Sequence, residues 1–166
     1  MRILITAGPT IEPIDAVRFV SNRSTGRMGY SIAGTAIREG HEVGLISGPV
    51  SLPAPAGAEV FRIETANEMH AAVQGMVEDY DVLIMVAAVC DFRPKAVCSE
   101  KIRKSDFPCS LQLEPNPDIL ASLKEAKGSR IHIGFAAETG DLVESGRQKL
   151  VSKGLDMVVA NRVGVR

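Results

Sequence analysis

Short apolar runs recur along this chain, and stretches with helical spacing alternate with them. Ile3–Ala7, Glu42–Ser47, Glu59–Ile63, Asp81–Val86, Ile131–Phe135 and Asp156–Ala160 read as strands. The near-continuous apolar character of Asp81–Val86 fits burial on both faces, which is the habit of parallel sheets. Gly26–Glu39 places Met28, Ile32, Ala33, Ala36 and Ile37 at helical spacing, with Gly40 where the helix should stop. Thr65 followed by Glu68 is a capping box, so a helix starts there and runs to about Asp79. Asn116-Pro117 reads as the cap and first residue of a helix ending near Gly128, and residues 140–153 as another. Residues 110–113 read as a further strand. Residues 8–25, 48–57 and 87–109 carry loop composition. This alternation predicts an α/β fold: a Rossmann-like open, mostly parallel sheet with helices on both faces.

A chain of 166 residues suits one domain with an adequate core. Its apolar fraction of 45% and charged fraction of 23% are those of a globular protein. A net charge of −1 argues against a general nucleic-acid or anionic-membrane binder. The absence of Trp and the 4% aromatic content argue against a base-stacking platform. No apolar run is long enough to span a bilayer. The opening MRILITAG passes directly into a strand pattern without a secretory h-region, so a cytoplasmic protein is expected. Cys90, Cys98 and Cys109 fit no zinc spacing and are expected as reduced thiols; His41, His70 and His132 are scattered. No protein-built metal site is expected.

In such sheets ligands bind beyond the carboxyl ends of the strands, and every unusual segment here follows a strand. Residues 8–29 open a helix with Ser24, Thr25 and Gly26, beside Arg18, Arg23 and Arg27. That is either an anion site or a loop solvated by its arginines. Neither a Walker A loop nor G-x-G-x-x-G is present. Asp91 in AAVCDFRP faces a ligand or cation, or caps a turn. Lys101, Arg103 and Lys104 suit polyphosphate neutralisation, or are a solvated charge run. NPDIL, residues 116–120, offers helix-start amides to a ligand or is simply a capped helix. Phe135 packs on a base or belongs to the core. Lys149 and Lys153 share one helical face, toward ligand or toward water.

Taken in order, ITAGPTIEPIDAVRFVSNRSTGRMG, SGPVSLPAP, AAVCDFRP, EKIRK, NPDIL, GFAAET and DMVVANRV cover essentially the whole chain. With them the chain resembles the phosphopantothenoylcysteine synthetases (phosphopantothenate–cysteine ligases), in many bacteria the C-terminal half of a bifunctional flavoprotein. The resemblance implies that CTP activates 4′-phosphopantothenate to an acyl-cytidylate with release of pyrophosphate. The amine of L-cysteine then displaces CMP. It further implies that Asn22 holds the acyl intermediate, that Arg18 grips phosphopantothenate, and that Lys101 meets the nucleotide phosphates. Nucleotide-binding positions carry over to Met85, Val86, Ala87, Asp91, Pro117, Asp118, Ile119, Leu120, Phe135, Lys149 and Lys153. Mg2+ would arrive with the triphosphate. A homodimer with loops completing each other's sites is implied too. So is a decarboxylase domain upstream if the chain is a fragment, with no flavin bound by the chain itself.

Three departures stand out. Arg103 replaces a lysine of the family's K-x-K-K motif, exchanging a point charge for a planar fork. Cys90 replaces a small alanine, with no special reactivity expected. The family continues past the ANRV segment, so its C-terminal strands are expected to be missing after Arg166. Two other readings compete: a nucleotide-holding domain without full turnover, and an NAD(P)-dependent Rossmann reductase. The second lacks both the dinucleotide fingerprint and a Tyr-x-x-x-Lys pair.

Overall fold

A computed structural model of the chain describes residues 1–108 and 110–164. The N-terminal half holds β1 (Arg2–Ala7), β2 (Ile11–Pro13), β3 (Phe19–Ser21), α1 (Arg27–Arg38), β4 (Glu42–Ser47), β5 (Ala58–Arg62) and α2 (Ala66–Met76). The C-terminal half holds β6 (Val82–Met85), β7 (Phe92–Pro94), β8 (Leu113–Pro115), α3 (Ile119–Ser122), β9 (Ile131–Glu138), α4 (Leu142–Lys153) and β10 (Met157–Arg162). Six strands form one all-parallel sheet in the order β10-β9-β6-β1-β4-β5. The predicted Rossmann-like α/β class is thus what forms. The chain moves outward from β1 in one direction through β4 and β5, then returns to the other side of β1 for β6, β9 and β10.

Period-two alternation within β1 divides the core. Ile3, Ile5 and Ala7 face Tyr30, Ala33 and Ala36 of α1, together with Val50 and Leu52 of the 48–57 loop. Leu4 faces the opposite layer with Leu83, Met69 and Val73 of α2, Ile119, Leu120 and Leu155. Leu150 of α4 also packs into that second layer. Right-handed crossovers from the central switch point put helices on both faces, and the cover is unequal because β4 and β5 are joined by the 48–57 loop and not by a helix. Burying a side chain such as Leu4 or Leu83 fully is worth about 1.5–3 kcal/mol. Among the described residues no helix is long and apolar enough to cross a membrane.

The local signals mostly hold. Thr65 and Glu68 make the reciprocal capping box. Gly26 caps α1 in the left-handed region at φ 76°. Where the structure departs from expectation, distant polar partners are the cause. Residues 8–25 contain the antiparallel ribbon β2–β3, because Glu12 is buried and its Oε1 accepts from Ala66 N, the first amide of α2, at 2.9 Å. A carboxylate at that end of a helix also complements its dipole. The strand expected over 110–113 lies at Leu113–Pro115 and pairs antiparallel with β7, inside the segment expected to be loop.

The third helix is corrected most. Its cap is Asp118, whose Oδ1 accepts from Ala121 N at 2.9 Å, and it lasts four residues. Asn116 is taken elsewhere: its Nδ2 donates to Cys90 O at 2.8 Å and its Oδ1 accepts from Arg93 at 2.9 Å. After Ser122 the chain is drawn to the end of α4, where Lys124 donates to Ser152 O and Lys127 to Gly154 O and Asp156. Cys109 and the chain end at Arg166 lie outside the described residues.

Candidate functional site

The two strands leading in opposite directions, β1 and β6, are neighbours, so their carboxyl ends open a crevice. A cleft of about 1160 Å3 lies there and extends over the ends of β9 and β10. One face of the crevice is fastened by hydroxyls. Thr6 is fully buried, and its Oγ1 accepts from both Val86 N and Ala87 N at 3.1 Å. Gly8 O accepts from Ala88 N, Thr10 N donates to Ala88 O, and Thr10 Oγ1 accepts from Cys90 N at 2.9 Å. A buried amide left unpaired costs about 1–3 kcal/mol, so two threonines fix a segment that no regular ladder reaches. Beyond Thr10, Gly48 closes the other side. Its amide donates to Ala7 O, and a Cβ there would sit 1.8 Å from Pro9 O, so only glycine lets the two loops touch.

Against this fastened segment lies Asn22. Its Nδ2 donates to Ala88 O at 3.0 Å and to Val89 O at 3.1 Å, with Cys90 Sγ at 3.9 Å. Two carbonyl acceptors require the amide nitrogen on that side. The nitrogen's two hydrogens are thereby used, and Oδ1 is the polar atom of Asn22 left for a ligand. Cys90 itself is buried, and desolvation pushes its thiol up, helped by Glu12 and Asp91 against the pull of Thr10 and Asn22. It is a packing residue with an inert thiol. Residues 22–29 wall the cleft beside it. No side chain caps α1, so the amides of its first turn stay open next to Arg23 and Arg27.

The far wall is built by α3, α4 and the ends of β9 and β10. Lys149 donates to Phe135 O, and burial holds its amine below the ordinary lysine range, with Asp118 opposing and Lys153 reinforcing. Lys153 pairs with Asp118. Burial raises the Asp118 carboxyl, but the Lys153 hydrogen bond, the Ala121 amide and the two lysine charges outweigh it and hold it low. Half-buried Lys149 and Lys153 thus place positive charge in a partly dry wall. Asp91 and Glu138 add carboxylates to the lining. Among the described residues no three His, Cys, Asp or Glu side chains gather to hold a metal.

Of the residues singled out from the sequence, Asn22, Met85, Val86, Ala87, Asp91, Pro117, Asp118, Ile119, Leu120, Phe135, Lys149 and Lys153 all line this one cleft. Arg18 and Lys101 do not. Arg18 is engaged with Asp15, Ile102 O and the Phe107 ring, and Lys101 stands exposed on the adjoining loop. Sequence reasoning missed Thr6, Thr10, Asp15 and Gly48. The one available signal was a lone hydroxyl near the end of an otherwise apolar strand, at Thr6.

The family model described as the DNA/pantothenate metabolism flavoprotein C-terminal domain matches residues 1–166. The coenzyme A biosynthesis bifunctional protein CoaBC of Bacillus subtilis (strain 168) is 48% identical over 97% of this chain and 40% of its own length. Its namesake in Escherichia coli (strain K12) is 45% identical over 98% of this chain and 41% of its own. The chain therefore spans about two fifths of the curated relatives it matches. A crystal structure of the C-terminal domain of CoaBC superposes with TM-score 0.86 at 45% identity, covering 96% of this chain and 76% of that one. A Cab2 mutant in complex with phosphopantothenate-cysteine shares the fold at TM-score 0.84 and 19% identity, covering 98% and 72%. The chain belongs to the family of DNA/pantothenate metabolism flavoprotein C-terminal domains.

Proposed function

We propose that the chain is a ligase domain of coenzyme A biosynthesis, joining 4′-phosphopantothenate to L-cysteine through an acyl-cytidylate made from CTP. The observation that carries this reading is the convergence of Asn22, the 85–87 strand end, Asp91 and the Lys149–Lys153–Asp118 cluster on one switch-point cleft. The names of the relatives point the same way. In the first step a carboxylate oxygen attacks the α-phosphorus and pyrophosphate leaves. Both partners are anions, so the step needs fixed positive charge, which Lys149 and Lys153 supply from the wall and the 101–104 loop from outside. In the second step the cysteine amine attacks the acyl carbon and CMP leaves. Oδ1 of Asn22 is an acceptor suited to an N–H of the acyl chain or of the incoming amine. The cleft's lone carboxylates suit a Mg2+ carried in on the triphosphate and not a caged metal.

The test is pyrophosphate release. With CTP, Mg2+ and 4′-phosphopantothenate, release is expected without cysteine, and phosphopantothenoylcysteine is expected once cysteine is added. CTP binding without release would leave a nucleotide-holding domain, and no nucleotide binding would remove the ligase reading. ATP in place of CTP reads the base preference.

We also propose that the domain works as a homodimer through its two ribbons. Val17, Phe19, Phe92 and Leu113 are 57%, 55%, 54% and 50% exposed on or beside them, apolar surface that a second copy would cover. The β2–β3 turn carries Arg18, so a dimer through this face is how Arg18 would reach a neighbouring cleft. Light scattering is expected to give twice the monomer mass of 17.7 kDa; a monomer at high concentration overturns the dimer.

A further inference from the structure

Between β7 and β8 the chain makes a long excursion, residues 95–112, that carries Lys101, Arg103 and Lys104. All three are exposed and their like charges repel, and the internal bonds of the segment are few: Asp106 N donates to Arg103 O at 3.0 Å, and Lys95 N to Gln112 O at its base at 2.9 Å. The half-buried residue among them is Ile102. Its amide donates to Asp15 Oδ2 at 3.2 Å, and its carbonyl accepts from Arg18 Nη1 at 3.2 Å. Both polar groups of one peptide-flanked residue are thus held from the β2–β3 turn. Asp15 is the centre of that grip. Only 4% exposed, it also takes the amides of Val17 and Arg18 on Oδ1 at 2.8 and 2.7 Å, and Arg18 Nη1 on Oδ2 at 2.5 Å. Arg18 in turn lies over the Phe107 ring at 4.5 Å, and Cys98 N donates to Ile14 O at 3.0 Å. The cationic segment is pinned at three points to one turn.

A buried carboxylate that accepts four hydrogen bonds is dedicated to this turn and to the segment it holds. Desolvation raises its carboxyl, and the amides of Arg18, Val17 and Ile102 with the Arg18 charge bring it down to about 2. It therefore keeps its charge, and its grip, across the whole working pH range.

We propose that Asp15 is a positioning residue: by gripping Ile102 it fixes where Lys101, Arg103 and Lys104 stand before substrate arrives. The proposal rests on the ligase reading only for what those cations meet, namely the triphosphate. An unpinned segment would have to be ordered at each encounter, and that entropy would appear as weaker triphosphate capture.

The test uses the full chain with Asp15→Asn, which removes the charge and keeps the size, beside Asp15→Ala. Limited trypsin digestion without ligand, followed by mass spectrometry, compares cuts after Lys101, Arg103 and Lys104 with those after Lys124 and Lys127. Cuts in the 101–104 segment are expected to quicken at least fivefold in Asp15→Asn, with the control cuts unchanged. Equal rates at both places would overturn the tether, whatever the protein's activity. In pyrophosphate release, the KM for CTP is expected to rise about fivefold or more while kcat at saturation changes less. In a Lys101→Gln, Lys104→Gln background the same Asp15 substitution is expected to add little. Faster cutting with an unchanged KM would overturn the positioning role and leave a structural tether. A wild-type chain that releases no pyrophosphate would count against the ligase reading, while the trypsin comparison would still decide the tether.

Discussion

Asn22→Asp is expected to lower phosphopantothenoylcysteine formation by about a hundredfold or more at pH 8, a loss typical of misplacing one polar group at a reacting centre. The cause lies behind the residue and not in the cleft. Nδ2 donates to two carbonyls, Ala88 O and Val89 O. A carboxylate in the same place sets an anionic oxygen against both, so the side chain must swing off or take up a proton. One proton serves one carbonyl, which restores half of the original hold. Activity in Asn22→Asp is therefore expected to recover in part as pH falls toward 5.5, relative to the wild type at each pH. Asn22→Ala, which has nothing to protonate, is expected to show no such recovery. Parallel pH profiles for the two variants would remove this account of how Asn22 is held. CTP binding, measured by calorimetry, is expected to survive in both, because the lysine wall lies across the cleft.

The second large effect is on stability. Gly48→Ala places a methyl carbon 1.8 Å from Pro9 O and 2.9 Å from Pro9 C, both backbone atoms. Carbon atoms rest at about 3.5–4 Å from their neighbours, so a loop has to move by more than an ångström. Overpacking commonly costs about 1–3 kcal/mol, and a rigid backbone neighbour puts this case at or above the top of that range. The damage should spread, because the displaced loop carries Thr10, which holds Cys90 N and so the segment under Asn22. Urea unfolding is expected to show a loss of about 3 kcal/mol, with CTP binding weakened in the fraction that folds. Gly75→Ala in α2 is the control: nothing lies within 4 Å of the added carbon, and the helix gains up to about 1 kcal/mol. Equal midpoints for Gly48→Ala and wild type would show that the two loops do not need their close approach.

Elements whose cause is local were legible from the residues. β4 follows from six residues between Gly40 and Gly48, and α2 from a cap and its partner three positions on. The ribbons were not legible, since their three-residue strands carry little pattern and are held by Glu12 at Ala66 and by Asn116 at Cys90. The short α3 follows the same rule. Asn116-Pro117 looks like a helix start, but Arg93 and Cys90 O take up the Asn116 side chain, and the cap falls to Asp118. For the cleft, strand-end residues could be found because a parallel sheet gathers its strand ends on one side. Which way a loop cation points has no such rule, so the sequence does not carry the directions of Arg18 and Lys101, and neither lines the cleft.

The pairing of β1 with β6 sets the order in which this molecule can be assembled. Ile3 is matched with Val82, so β1, once made, must wait for some eighty residues before its second neighbour exists. A nascent chain holding only β1, α1, β4 and β5 can begin a sheet, but one long side of β1 is an open edge, and the Thr6 hydroxyl has no amides to receive. Such delayed, non-local pairing slows folding and leaves strand edges exposed meanwhile. The crevice thus forms only once β6 has been made, and a pause in synthesis before Val82 would present a half-built sheet to whatever other strands are near.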